Sequence, residues 1–294
     1  MKVINTLEKL YDLMDKTPST MYNATLIGFN FSKGSDPYKA LEEIKVFEKV
    51  NFINCTFGIN EKGGYDSESI TIGIAGDISF INCDFTGSNR LNIYSSFDST
   101  DYNIRIRGCT FNNLFIMCDF DHLGIVDSTM AYLDLPNNLH TEIPIIGSDI
   151  DTINFNFINV STHFGLSLKN STLKEIKTNP HKILWFREIS SSSPNNYYLF
   201  KKSEYKIWSD NNRFANCNLD NADFSNFLTL GYMQFTGCSV HNADFSGMGH
   251  LKYRTEFYMS FIDCTGVDSI ILPESFERQD DENGSNFITI RQKS

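Results

Sequence analysis

Seven cysteines are the residues of this chain that most readily suggest chemistry. A thiol can act as a nucleophile, a metal ligand or half of a disulfide. Their spacing argues for none of these. Each lies three residues after an apolar anchor: Phe52–Cys55, Phe80–Cys83, Ile106–Cys109, Phe115–Cys118, Phe214–Cys217, Phe235–Cys238 and Phe261–Cys264. Six are followed two positions later by another apolar residue: Phe57, Phe85, Phe111, Phe120, Leu219 and Val240. Gly266 is the exception. A nucleophilic cysteine needs an activating base and an exposed, electropositive setting, whereas these sit in one apolar frame. Cys118 has the loosest motif, with Asp119, Asp121 and His122 after it, and is the best candidate for a reactive thiol. The number is odd and no C-x-x-C pair occurs, so neither a disulfide framework nor a zinc site is expected. Small, buried, reduced thiols are the expectation.

The other reactive types are as sparse. The six histidines, His122, His140, His163, His181, His241 and His250, show no ligand spacing. Asp119 and Asp121 alternate and would share one side of a strand, as the catalytic acids of β-helix carbohydrate enzymes often do. Asp84, Asp223 and Asp244 hold polar positions suited to corner turns. No phosphate loop, G-x-S-x-G elbow or H-E-x-x-H is present. No cofactor or metal is implied.

The elements that would position these residues are short and repeated. Val3, Leu7, Leu10, Tyr11 and Met14 have helical spacing over 3–15, and Thr17-Pro18 ends the run. A second helix is expected over 37–47, with Pro37 in its first turn and Tyr38, Leu41, Ile44 and Phe47 as its buried stripe. Between them, 24–26 and 29–31 read as an isolated strand pair or a first coil. From residue 50 onward, two- or three-residue alternations are broken by turns. Leu219 and Phe224 are five apart, as are Val240 and Phe245, and the second pair lies 21 residues after the first. Ala222-Asp-Phe224 returns as Ala243-Asp-Phe245. Such self-similarity marks a repeat fold, in which each coil buries its neighbour's core.

These residues resemble the pentapeptide-repeat family, whose unit is roughly A-[DN]-[LF]-x-x; Cys217-Asn-Leu219 is a variant of it. The resemblance implies a right-handed parallel β-helix, and together with the short N-terminal helices the expected fold is mainly β. It implies an inward ladder of Phe52, Cys55, Phe57, Phe80, Cys83, Phe85, Cys109, Phe111, Cys118, Phe120, Cys217, Leu219, Ala222, Phe224, Phe235, Cys238, Val240, Ala243, Phe245, Phe261 and Cys264. The match is close over 214–248 and looser upstream, where Phe52 to Phe80 is 28 residues and Phe85 to Phe111 is 26. A four-sided and a three-sided coil both remain open there. The expected organisation is a cap and first coil at 1–49, a β-helix at 50–272 and a tail at 273–294.

Residues 174–213 break the rhythm and read as an insertion, a loop or hairpin that holds both tryptophans. Long loops on a repeat scaffold commonly carry binding. The candidate partner-binding residues are Trp185, Phe186, Tyr197, Tyr198, Lys201, Lys202 and Trp208. The leading expectation is a non-enzymatic protein-interaction module, similar to the β-helix domains of bacterial effectors. A second is an acidic DNA mimic that binds a topoisomerase, and a third is a carbohydrate-acting enzyme. The net charge of −11 disfavours direct nucleic-acid binding. It is concentrated in 51–150, with 4 Lys/Arg against 13 Asp/Glu. No apolar run reaches membrane-spanning length and no cleavable signal is evident. That suits a cytoplasmic protein, or one exported by a dedicated secretion system. The segment 287–290 could pair with the last coil or, as a homodimer contact, with another chain.

Overall fold

Short corners set the architecture, and at nine of those among the described residues the turn is made by a residue that tolerates the left-handed backbone region. Asn54, Asn82, Gly108 and Asp127 in the first part of the chain, and Gly147, Asn170, Asn216, Gly237 and Asp263 in the second, all have φ between 49° and 63°. Only Gly, Asn and Asp visit this region readily. Each ends one strand, and the next residue begins another face. In the computed structural model the result is a mainly β parallel solenoid of about 7 turns. The structure describes residues 1–58, 69–95, 102–118, 120–135, 142–155, 165–178, 185–187, 197–199, 211–225, 232–246, 258–274, 276–280 and 287–292. These fall into two compact units, Met1–Asp134 and Leu135–Ser294.

In the first unit, strands Thr20–Ile27, Val46–Ile53, Ile78–Ile81, Asn103–Arg107 and His122–Val126 stack in parallel. Their register aligns Leu26, Phe52, Phe80, Ile106 and Ile125 in one inward column. Beyond the corner, Asn30–Ser32, Thr56–Gly58, Asp84–Gly87, Thr110–Ile116 and Thr129–Leu135 form the next stack. Ser69–Ile74 and Arg90–Ser95 continue it onto the far half of Thr110–Ile116. Phenylalanine rings fill the interior. Phe52 stacks on Phe80 at 5.2 Å, Phe57 on Phe85 at 4.3 Å and Phe85 on Phe111 at 4.6 Å.

The second unit repeats the plan. Glu142–Ile146, Gly165–Lys169, Asn211–Ala215, Tyr232–Thr236 and Tyr258–Ile262 align Ile145, Leu168, Phe214, Phe235 and Phe261. Asp149–Phe155 pairs with Thr172–Thr178, after which single bridges run Thr172–Asn218–Ser239–Thr265 and Glu175–Asp223–Asp244–Ile271. Strand Phe287–Gln292 lies antiparallel on the last coil strand, Tyr258–Ile262, and Phe276–Asp280 pairs with its other edge. The expected terminal strand is therefore paired within its own chain.

The helices are shorter than their periodicity suggests. The first spans Leu7–Lys16 and buries Leu10 and Leu13. Val3 belongs instead to strand Lys2–Ile4, which pairs with residues 24–26, and Thr6 caps the helix behind it. The second spans Asp36–Glu43, capped by Ser35, and ends as Ile44 turns extended. Phe47 leaves the expected helical stripe and enters strand Val46–Ile53, where it is 1% exposed. Strands Thr20–Ile27 and Asn30–Ser32 form a first coil, because each pairs with the coil that follows.

Candidate functional site

The corner residues explain the cysteine frame. Six of the seven cysteines directly follow a left-handed residue: Cys55, Cys83, Cys109, Cys217, Cys238 and Cys264. Ser128, Ser148 and Ser171 fill the same place in other coils. The side chain there closes the corner with two kinds of hydrogen bond. Cys109 Sγ donates to the carbonyl of Arg107, two residues back, and Ser128 Oγ to that of Val126. The same atom accepts a backbone N–H from the coil before it. Cys83 N donates to Cys109 Sγ at 3.4 Å, Cys109 N to Ser128 Oγ at 3.1 Å, and Cys217 N to Cys238 Sγ at 3.4 Å. These bonds satisfy a backbone donor that the turn would otherwise leave buried without a partner.

This setting controls the thiols. The hydrogen bond to Cys109, followed by burial, pushes the Cys83 thiol up to about 12. The hydrogen bond with Cys217 leads among the causes that push Cys238 up to about 11. Cys55 and Cys264 are raised as well, again by the neighbouring thiol and by burial. Cys109 and Cys217 are lowered, because the thiols of Cys83 and Cys238 bond to them. Both are at most 2% exposed, so no reagent reaches the sulfur.

Cys118 lies outside this column. It is buried, as is Phe120, but no left-handed residue precedes it. Its supposed anchor Phe115 is half-buried, packs on Tyr132 at 5.6 Å and carries the Arg90 guanidinium over its ring at 4.3 Å. Leu114 and Ile116 point inward instead. A half-buried Asn113 between Phe111 and Leu114 shifts the alternation by one, and a one-residue shift exchanges the two faces. Asp119 lies outside the described residues. Asp121 precedes strand His122–Val126 and donates its N–H to the carbonyl of Tyr102 at 2.9 Å. The remaining residues expected in the ladder, from Phe52 to Phe261, are all buried, at 3% exposure or less; only Cys264 is partly exposed.

One cluster escaped the sequence reading. Asp220 Oδ1 accepts from Ser239 Oγ at 2.6 Å and from the backbone N–H of His241 at 2.8 Å, and lies 3.0 Å from His241 Nδ1. Burial pushes the Asp220 carboxyl up, but the hydrogen bonds from Ser239 and His241 outweigh it and hold the group below its ordinary value. Ser239 Oγ also lies 3.0 Å from His241 Nδ1. Acid and hydroxyl thus meet the same ring nitrogen. A nucleophilic triad places them on opposite nitrogens, so the cluster ties two coils together and activates nothing. It also accounts for Gly266. A Cβ there would lie 2.5 Å from the His241 ring and 2.6 Å from its backbone nitrogen, and φ is +80°. The signal was available, because Asp220 and His241 are one 21-residue coil apart.

The insertion supplies the only sheet, among the described residues, outside the solenoid. Solenoid pairing continues to Thr178 and resumes at Asn211. Between them, Trp185–Arg187 and Tyr197–Leu199 pair antiparallel, with Phe186 opposite Tyr198 and Trp185 opposite Leu199. Lys201, Lys202 and Trp208 lie outside the described residues. Among the described residues, no group of three His, Cys, Asp or Glu side chains could hold a metal, and no helix is long and apolar enough to cross a membrane. No family model matches the chain, no curated protein matches it, and no solved structure matches it.

Proposed function

We propose that this protein is an interaction module of the pentapeptide-repeat kind, in which the solenoid is the scaffold and the insertion is the element that recognises a protein partner. One observation carries the reading: an antiparallel hairpin bearing Trp185, Phe186, Tyr197 and Tyr198 interrupts a fold of stacked parallel strands. A coil step of 46 residues, Leu168 to Phe214, accommodates it where the next step, Phe214 to Phe235, takes 21. Trp and Tyr are the types that dominate binding energy at protein interfaces, and loops on a rigid scaffold are where recognition concentrates. Lys201 and Lys202 add positive charge to a chain that is otherwise acidic. Such a charge pair would steer an acidic partner toward the aromatic residues.

The test is a pull-down from the native host's lysate with wild type and with Trp185→Ala/Trp208→Ala as bait. A partner captured by wild type and lost from the double variant supports the reading. Equal capture by a folded variant removes the insertion from recognition.

A further inference from the structure

The first unit ends on an open sheet edge. Strand Lys2–Ile4 pairs with Thr20–Ile27 on one side, and among the described residues no strand pairs with its other side. An unpaired edge presents backbone donors and acceptors to any extended chain of suitable register. Helix Leu7–Lys16 runs beside this edge, and a groove of about 300 Å³ opens between the two. Val3, Ile4 and Leu13 contribute apolar surface to it, and Val3 is 55% exposed. Lys2, Lys9 and Lys16 also line it, against a single carboxylate, Asp12. Among the described residues none of the three lysines is ion-paired with a carboxylate, and Lys9 Nζ only donates to Asn5 Oδ1 at 3.0 Å.

That charge runs against the balance of the whole molecule, whose formal net charge is −11. The edge at the end of the second unit is different. Phe276–Asp280 presents exposed Glu277, Arg278 and Gln279, the mixed charges that discourage strand addition. The first edge combines free backbone groups, an exposed apolar side chain and an excess of positive charge.

We propose that this groove takes an extended acidic segment of a protein partner, added as a strand along Lys2–Ile4. Main-chain hydrogen bonds would give the pairing, Val3 and Leu13 would receive alternate apolar side chains, and the three lysines would select acidic residues between them. The site is separate from the insertion and does not depend on the role given to it.

The test uses the full chain and a fluorescein-labelled peptide, Val-Glu-Val-Glu-Val-Glu-Val, followed by anisotropy. Wild type should bind it saturably, and Lys9→Glu/Lys16→Glu should weaken binding by about ten-fold or more, as should a rise in salt that shortens the screening length. Lys2→Glu, on the strand, repeats the comparison without touching the helix. Trp185→Ala/Trp208→Ala should bind as wild type does, which separates this site from the insertion. Absence of binding, equal binding of a Val-Lys peptide, or undiminished binding by both charge-reversed variants overturns the proposal. So does sedimentation showing that the groove is filled by a second copy of the chain, with Lys2→Glu dissolving that dimer.

Discussion

Phe235→Ala puts the stacked-core account at greatest risk. Phe235 is 0% exposed. Its ring lies between Phe214, at 4.8 Å and 12°, and Phe261, at 4.7 Å and 5°. Phe245 meets it edge-on at 5.7 Å. Truncation to alanine leaves a cavity that neighbouring coils cannot close, because each is fixed by its own ladder of backbone bonds. Deleting a buried Phe side chain costs about 3–5 kcal/mol. Each lost aromatic pair adds about 0.5–1.5 kcal/mol, so the total should be about 5 kcal/mol or more. Phe235→Leu keeps most of the volume and should cost about 1–2 kcal/mol. Urea unfolding followed by far-UV circular dichroism measures both. Because repeat folds couple mainly through nearest neighbours, hydrogen exchange should also rise first in Tyr232–Thr236 and in the strands paired to it, Asn211–Ala215 and Tyr258–Ile262. A loss under about 1 kcal/mol for the alanine variant, well below the cavity range, refutes the reasoning. So does protection lost evenly along the chain.

Two further outcomes follow from the corners. Cys217→Ser should cost no more than about 1 kcal/mol, since serine makes the same bonds at 128, 148 and 171; a urea midpoint lowered by several times that amount would show that the column needs sulfur. Asp220 has a folded-state pKa held below its ordinary 3.8, so its stabilising contribution is present above that value and is lost as pH falls through the folded one. Asp220→Asn should therefore be less stable than wild type at neutral pH, with the difference shrinking in acid; unfolding midpoints at several pH values check this, and a difference that is constant or grows in acid contradicts it.

The periodic part of this fold was legible because its cause is local. A spacing of five between Leu219 and Phe224, repeated at Val240 and Phe245, turns successive large side chains inward whatever the neighbouring coils do. The cysteine frame was legible for the same reason. What lay one residue earlier was missed: the left-handed Asn, Gly or Asp is the physical origin of the corner, and it identifies Ser128, Ser148 and Ser171 as equivalents of the cysteines. Phe115–Cys118 copied the frame without the corner, and there spacing alone misled. Val3 and Phe47 have helical spacing, yet strand pairing with residues 25 and 21 takes them, since tertiary partners outweigh a short amphipathic pattern.

The sequence by itself determined that the chain is a β-helix of stacked coils, that phenylalanine and cysteine line its interior, and that the rhythm fails at about residues 174–213. Those properties depend on side-chain spacing within one coil. Only the tertiary structure decided which coil lies on which. Steps of 19 residues from Ile106 to Ile125 and 46 from Leu168 to Phe214 follow no period that a sequence displays. Register therefore had to come from the backbone ladders. With register came the contacts that join residues of different coils: the bond from Cys109 N to Ser128 Oγ, the meeting of Asp220 with His241, and the glycine that His241 requires at 266. The open edge at Lys2–Ile4 belongs to the same class, because an edge exists only once every other strand has found its partner.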